Sequence, residues 1–527
     1  MRLHATEILI LAATCATPWY AARAQDHPAS GSARTILLVD DADVLYRSGT
    51  RREVRPFTRH HANPLIRCDK PWEVAIAWMS VYRNPETGLY QLWYQAFSGN
   101  RATQRTHACV VCYAESKDGI HFTKPELGLF PFNDIRKTNI VLIGAGGTSV
   151  RYANSVIVDP ADPDPAKRYK MAFFDFGRSS GKEYPGLHVA FSPDGVHWTK
   201  HPEMPLLRVS YGDFGARVPF SDEAGRDWDV PLSMSDAVDV FRDTKRGVFA
   251  IYGKMWFDGP DGGMYFKHGM GRTESKDFVH WSKPQLVLTP DDLDSPWVEF
   301  HTAPVFLYED VYFSLIQILD RAKGGGVIDI EMATSRDGLR WDRPFRRTFV
   351  LARATGNAFD SGSIFTSSTP VVLEEEIRFY YGAYSQGATG GDDCDLGSGI
   401  AVASIPRDRF AGIRPVEHSD QPTLRKPLEY LGQVTLKPID LVGCGGILVN
   451  ADASAGFAWV ELLTEDGKRV RGFTRDDCLP IRGDSLRHSV TWKDRKLGDL
   501  AAGKYLLRLH LERAAVYSVT LLKSKEN

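Results

Sequence analysis

The stretch "SPDGVHWTK", Ser192–Lys200, is repeated along the chain. It returns as "SKDGIHFTKP" from Ser116, "SKDFVHWSKP" from Ser275 and "SRDGLRWDRP" from Ser335, with a worn relative, "SIPRDRFAGIRP", from Ser404. Its chemistry is that of a tight turn, because Asp accepts hydrogen bonds from nearby amides and Gly tolerates positive φ. In front of each copy stand short segments rich in Val, Ile, Tyr and Phe. The first copy has "VAIAWMSVYRN", "YQLWYQAFSG" and "THACVVCYAES"; the fourth has "TAPVFLYED", "VYFSLIQIL" and "VIDIEMATS". These read as strands, and helical periodicity is hard to find. Three strands, the turn and a fourth strand carrying the Trp or Phe make one antiparallel sheet per copy, with the aromatic packed between neighbouring sheets. Radial repetition of such sheets is a β-propeller, so the chain is expected to be all-β with five blades.

The repeats end near Arg414. From about Gln421, alternation resumes without the turn in "LGQVTLKPIDLVGCGGILVNADASAGFAWVELL" and "KYLLRLHLERAAVYSVTLL", which reads as a C-terminal β-sandwich. The expected domains are a propeller over 35–418 and a sandwich over 423–527. The segment "TILLVDDADVLY" from Thr35 is the expected N-terminal strand that closes the ring.

The first residues read as an export signal over 1–24: Arg2, the apolar "ILILAATCAT", and Ala22-Arg23-Ala24 before Gln25. No later run is long enough to span a membrane. A secreted or periplasmic protein is expected. The 527 residues carry a net charge of −2, which removes the electrostatic case for nucleic acid or an anionic membrane surface. Of seven cysteines, Cys15 lies in the signal. Cys109 and Cys112 sit in a strand and read as buried thiols, and Cys444 with Cys478 is a candidate bridge. No cofactor or metal is expected: "GAGG" at Gly144 and "GGG" at Gly324 lack the following helix that a phosphate cradle needs.

An export signal, five such repeats and a trailing sandwich resemble the five-bladed glycoside hydrolase superfamily of families 32, 43 and 68 and the related mannoside phosphorylases. The phrases "PWE", "DPADPDPAKRYKM", "FDSGSI", "IRFYYGAY" and "GILVNADASAGFAWVELL" are most similar to exported bacterial family-32-like proteins. The family-32 signatures "WMNDPNG", "RDP" and "EC" are absent, a departure from the fructosidase pattern. The resemblance implies carboxylates at the starts of the inner strands, around an axial pocket. Blade one then offers Glu73 in "DKPWEV", blade three Asp236 in "MSDAVDVF", blade four Glu299 and His301 in "VEFHTAPVF", and blade five Asp360 in "AFDSGSIF". Blade two offers Asn154, which is not an acid. Glycoside hydrolysis needs one carboxylic acid and one carboxylate, and crowded carboxyls split their pKa values to provide them.

Glu73 and Asp236 are the expected catalytic pair, facing each other across the channel with Glu73 as the acid. Glu299 and Asp360 would tune them, while Trp72, Asn154, His301 and Ser361 would bind sugar. Against each stands a plainer role: a turn cap, a strand-start hydrogen bond, or a core aromatic for Trp72 and Trp78. The expected function is an exported glycoside hydrolase acting on an oligo- or polysaccharide. A phosphate-dependent phosphorylase and a non-catalytic sugar-binding propeller are the alternatives.

Overall fold

The computed structural model describes residues 33–98, 109–144, 152–179, 182–204, 206–208, 220–221, 227–228, 234–262, 266–322, 326–388, 397–419 and 428–524. The expected export signal, Cys15 and Cys394 lie outside them. The described chain is all-β; its helical pieces are the short turns Pro165–Lys167 and Leu497–Asp499. No helix among the described residues is long and apolar enough to cross a membrane.

Five antiparallel units follow one another along the chain. The first is built on Ala75–Arg83, Tyr90–Phe97, Cys109–Ser116 and Ile140–Ile143, and the second on Tyr152–Val158, Tyr169–Ser179 and Lys182–Ser192 with Thr199–Lys200 at its edge. The third contains Met234–Asp243, Val248–Phe257, Lys267–Ser275 and Gln285–Leu288. The fourth centres on Val311–Asp320 and Val327–Ser335, and the fifth on Glu376–Tyr384 and Ser398–Pro406. These last two share one eleven-stranded sheet, joined by a single parallel pairing of Ile328 with Ser363.

The repeated turn ties units together. Ser192 Oγ donates to Asp194 Oδ1 and accepts from the Gly195 amide at 2.9 Å, while Asp194 Oδ1 accepts from the Val196 and His197 amides at 2.8 Å each. The same set recurs at Ser116, Ser275 and Ser335. The carbonyl at the Gly position is the tie. Trp93 Nε1 of unit one donates to Gly195 O of unit two at 2.6 Å, and Tyr252 of unit three donates to Gly338 O of unit four. Tyr380 of unit five donates to Gly119 O of unit one, linking the last unit to the first. Gly195 has φ +82°, and a Cβ there would lie 2.6 Å from Trp93. In unit three the position is Phe278, also at positive φ. Its ring packs on Phe191 and Phe249, filling the place that a Trp or Tyr of the preceding unit takes elsewhere.

Inside, hydroxyl groups link the first strands of successive units. Ser80 Oγ accepts from the Val156 amide, Ser155 Oγ from the Val240 amide and Thr369 Oγ1 from the Val81 amide. The pairing of each of the first three inner strands is interrupted at its beginning, around Trp78, Ala153 and Asp236. Bulges of this kind re-aim side chains.

Ring closure differs from the expectation. Ala33–Leu37 pairs with Ala515–Lys523 at the C-terminus, whereas Thr58–Arg59 and Ile66–Arg67 pair with Ser398–Pro406. The run "ILLV" is buried on both faces: Ile36 and Leu38 enter the C-terminal core, Leu37 and Val39 the core of units four and five. A strand with two apolar faces is drawn between two cores. The C-terminal strands, together with Ala33–Leu37, Val44–Ser48, Thr50–Val54 and Ala411–Pro415, make one ten-stranded sheet. In it the 21-residue strand Cys444–Thr464 pairs first with Ala515–Lys523 and then with Lys504–Glu512. Cys444 and Cys478 are not joined in a disulfide, so the candidate bridge is not formed; Cys109 and Cys112 are buried thiols.

Candidate active site

Antiparallel order puts the start of a unit's first strand, the end of its second and the start of its third at one end of the sheet. In units three and four this end gathers Asp236, Lys254, His268, Glu299 and Arg321. Lys254 Nζ lies 2.5 Å from Asp236 Oδ1, and both are buried. His268 Nδ1 lies 2.5 Å from Glu299 Oε2, and Arg321 binds the other Glu299 oxygen. His301 Nδ1 meets Gln317 Oε1 at 3.0 Å.

The electrostatics follow from burial and partners. Burial opposes a charge on Asp236, but Lys254, with His301 and His268, outweighs it and holds the carboxyl below its usual range. Burial likewise opposes the charge on Glu299, yet His268 and Arg321 bring it down to about 2. Burial pushes His268 down to about 4, and burial with the nearby Lys254 charge pushes His301 down to about 3. At neutral pH the cluster therefore holds two carboxylates, two cations and two neutral imidazoles. The bond to ionised Glu299 places the His268 proton on Nδ1, leaving Nε2 as an acceptor, and that atom is buried with no hydrogen-bond partner among the described residues.

Asp239, three residues after Asp236, has the opposite character. It is 7% exposed and receives Thr302 Oγ1 of unit four at 3.3 Å. Burial pushes its carboxyl up to about 8, against the pull of that hydroxyl. Two carboxyls on one strand are thus held in opposite protonation states.

The other expected residues are placed differently. Glu73 is buried in a network of its own: Oε1 accepts from Tyr94 at 2.6 Å, and Oε2 from Lys124 at 2.6 Å and from the Asp69 and Lys70 amides. Both oxygens are taken by donors, as in a structural anchor. Its hydrogen bonds join Glu73 to Lys124, as an ion pair joins Asp236 to Lys254. Trp72 is a core residue, bonded to Asn139 and packed on Phe132. Asp360 is held by Arg59 at 2.8 Å and by Tyr381, and the Ser361 hydroxyl bonds the backbone carbonyls of Ala358 and Ser385. Asn154 is 2% exposed, and neither side-chain amide atom has a hydrogen-bond partner among the described residues. Trp78, at φ 39°, places its ring 6.3 Å from His301 and 4.5 Å from Phe365, making a floor where units one, four and five meet.

Lys254, His268, Arg321 and Asp239 were not expected from the sequence. Lys254 carried a signal, since a lysine inside the apolar strand "VFAIYGKMWF" calls for an acidic partner. Among the described residues, no group of three or more His, Cys, Asp or Glu side chains is arranged to hold a metal ion.

No protein-family model and no curated protein matches the sequence. Solved structures with similar folds exist. A glycosyl hydrolase from Bacteroides ovatus is 17% identical at a TM-score of 0.45, over 68% of this chain and 95% of that one. A structure from the GH130 family of mannoside phosphorylases, described as containing glycoside hydrolases that target β-1,2 mannosidic linkages in Candida mannan, is 18% identical at 0.42, over 66% and 94%. The catalytic domain of a GH62 α-L-arabinofuranosidase from Coprinopsis cinerea is 13% identical at 0.40, over 67% and 98%. At such identities and scores, the activities of these proteins are not transferred to this chain.

Proposed function

We propose that this chain is an exported glycoside hydrolase, with the five units forming a five-bladed propeller and the ten-stranded sheet of N- and C-terminal strands an accessory β-sandwich-like domain. The observation that carries the reading is Asp236: a buried carboxylate, ionised against its burial, at the end of the sheets where the first strands of successive units begin. Asp236 is the base or nucleophile, and Lys254 keeps it charged. Asp239, protonated at neutral pH, takes the acid role that sequence position assigned to Glu73. In this mechanism the Asp239 proton goes to the glycosidic oxygen as the bond to the anomeric carbon breaks. The Asp236 carboxylate takes a proton from the water whose oxygen bonds to the anomeric carbon, or attacks that carbon itself to form a glycosyl-enzyme that water then hydrolyses. His268 Nε2 and the Asn154 amide are buried polar groups left for substrate hydroxyls or water to satisfy.

One observation favours a second reading, a non-catalytic sugar-binding protein. Glu73, Asp236, Glu299 and Asp360 each have a basic partner: Lys124, Lys254, Arg321 and Arg59. Reducing-sugar release from a glycan panel, with and without phosphate, separates the readings. Hydrolysis without phosphate, lost in Asp236→Asn, is expected; strict phosphate dependence means a phosphorylase, and binding without turnover means the second reading. Export is tested by sequencing the N-terminus of the protein recovered outside the cytoplasm, with Gln25 expected first.

A further inference from the structure

Eight large hydrophobic side chains are exposed among the described residues, and three of them, Phe266, Leu293 and Trp297, lie in the stretch around the candidate site. Trp297 is 61% exposed and Phe266 49% exposed. Each stands two residues before a member of the cluster, Phe266 before His268 and Trp297 before Glu299, and those two members are hydrogen-bonded to each other. Phe266 and Trp297 lie immediately before the strands Lys267–Ser275 and Val298–Phe300 that carry His268 and Glu299.

Both aromatics are fixed in place. The Trp297 carbonyl accepts from the Arg321 amide at 3.0 Å, and the Arg321 side chain binds Glu299. Phe266 accordingly has Phe257 edge-on at 6.2 Å, and the Phe266 amide donates to the Phe257 carbonyl. An exposed Trp ring offers a flat apolar surface with a polar edge, suited to a ligand with both apolar C–H faces and hydroxyls. A sugar ring is such a ligand.

We propose that Trp297, seconded by Phe266, is a stacking platform continuous with the Asp236 cluster. It binds a sugar next to the one held at the cluster, so the substrate is a chain and not a single glycoside. This inference rests on the carbohydrate reading above.

The test uses the full chain carrying Asp236→Asn, so that ligands bind without being cleaved. Disaccharides through hexasaccharides of mannan, arabinan and xylan are titrated by calorimetry and by tryptophan fluorescence. Affinity for one of the three series is expected to rise with chain length by about tenfold, as one stacked ring provides. Adding Trp297→Ala should reduce this rise to about twofold or less, and Trp297→Phe should restore most of it. Circular dichroism checks that the variants fold. Affinity that does not grow with length, or grows equally in Trp297→Ala, overturns the platform while leaving the carbohydrate reading standing. Binding of none of the series overturns both. Self-association lost in Trp297→Ala, with no effect on sugar affinity, assigns the patch to a second copy of the chain and overturns the proposal.

Discussion

Asp194 and Asp236 show how differently this fold uses one residue type. Asp194 belongs to the repeated turn, where burial raises its carboxyl but amide hydrogen bonds and His197 together outweigh it and hold it low, at about 2. Its partners lie within three residues, so the same arrangement can be copied around the molecule. Asp236 is buried, and its charge is kept chiefly by Lys254 from another strand. Nothing in the repeat supplies this partner, and it occurs once. The repeated aspartates hold units together; the unrepeated one stands where chemistry can occur.

The comparison breaks most visibly in activity. Asp236→Asn should lower turnover per folded molecule by about 100-fold or more, with a lower thermal transition because the buried Lys254 loses its anion, whereas Asp194→Asn should leave turnover nearly intact. Equal losses in both, measured as sugar release, would remove the distinction.

Lys254→Met probes the support of the site. It leaves a buried carboxylate without its cation, with an expected cost of about 3–5 kcal/mol in urea unfolding. Because the depression of the Asp236 pKa depends on Lys254, the acid limb of the activity profile should also move to higher pH. An unchanged limb would show that Asp236 does not set it.

In the repeated turn, Gly195→Ala forces a side chain into positive φ and against Trp93. Roughly 3 kcal/mol of lost stability is expected, with activity per folded molecule retained. A neutral result would mean that the tie between units one and two yields easily.

Asp239→Asn gives the smallest stability effect per step, but one with a distinctive pH dependence. Burial raises the folded-state pKa to about 8, above the ordinary 3.8 of an aspartate, so its protonated form stabilises the protein fully below the lower value. That stability is lost as pH rises between the two, at up to about 1.4 kcal/mol per pH unit. The Asn variant should remove this slope and unfold at higher denaturant above neutrality, while losing turnover if Asp239 is the proton donor. A wild-type profile flat between pH 4 and 8 would contradict the assignment.

How far the sequence can be read follows from the reach of each interaction. Ser192, Asp194 and Gly195 complete their turn within four residues, so the units were legible. Ring closure was not, because Thr58–Arg59 and Ile66–Arg67 are two-residue strands with no periodicity of their own, while the conspicuous "TILLV" run is drawn to two cores. Asp236, Glu299 and His301 were found from their place before inner strands. Glu73 has an equivalent place, but Lys124, 51 residues later, ties it into a separate network. His268 and Arg321 become meaningful only once the fold brings them to Glu299.

The most direct test of the central claim is a crystal structure of the Asp236→Asn protein with an oligosaccharide it binds. A sugar ring within hydrogen-bond reach of residue 236 and of His268 Nε2 is predicted, with the next ring against Trp297. Saccharide bound only elsewhere, on the ten-stranded C-terminal sheet or at the opposite end of the five units, would contradict the account.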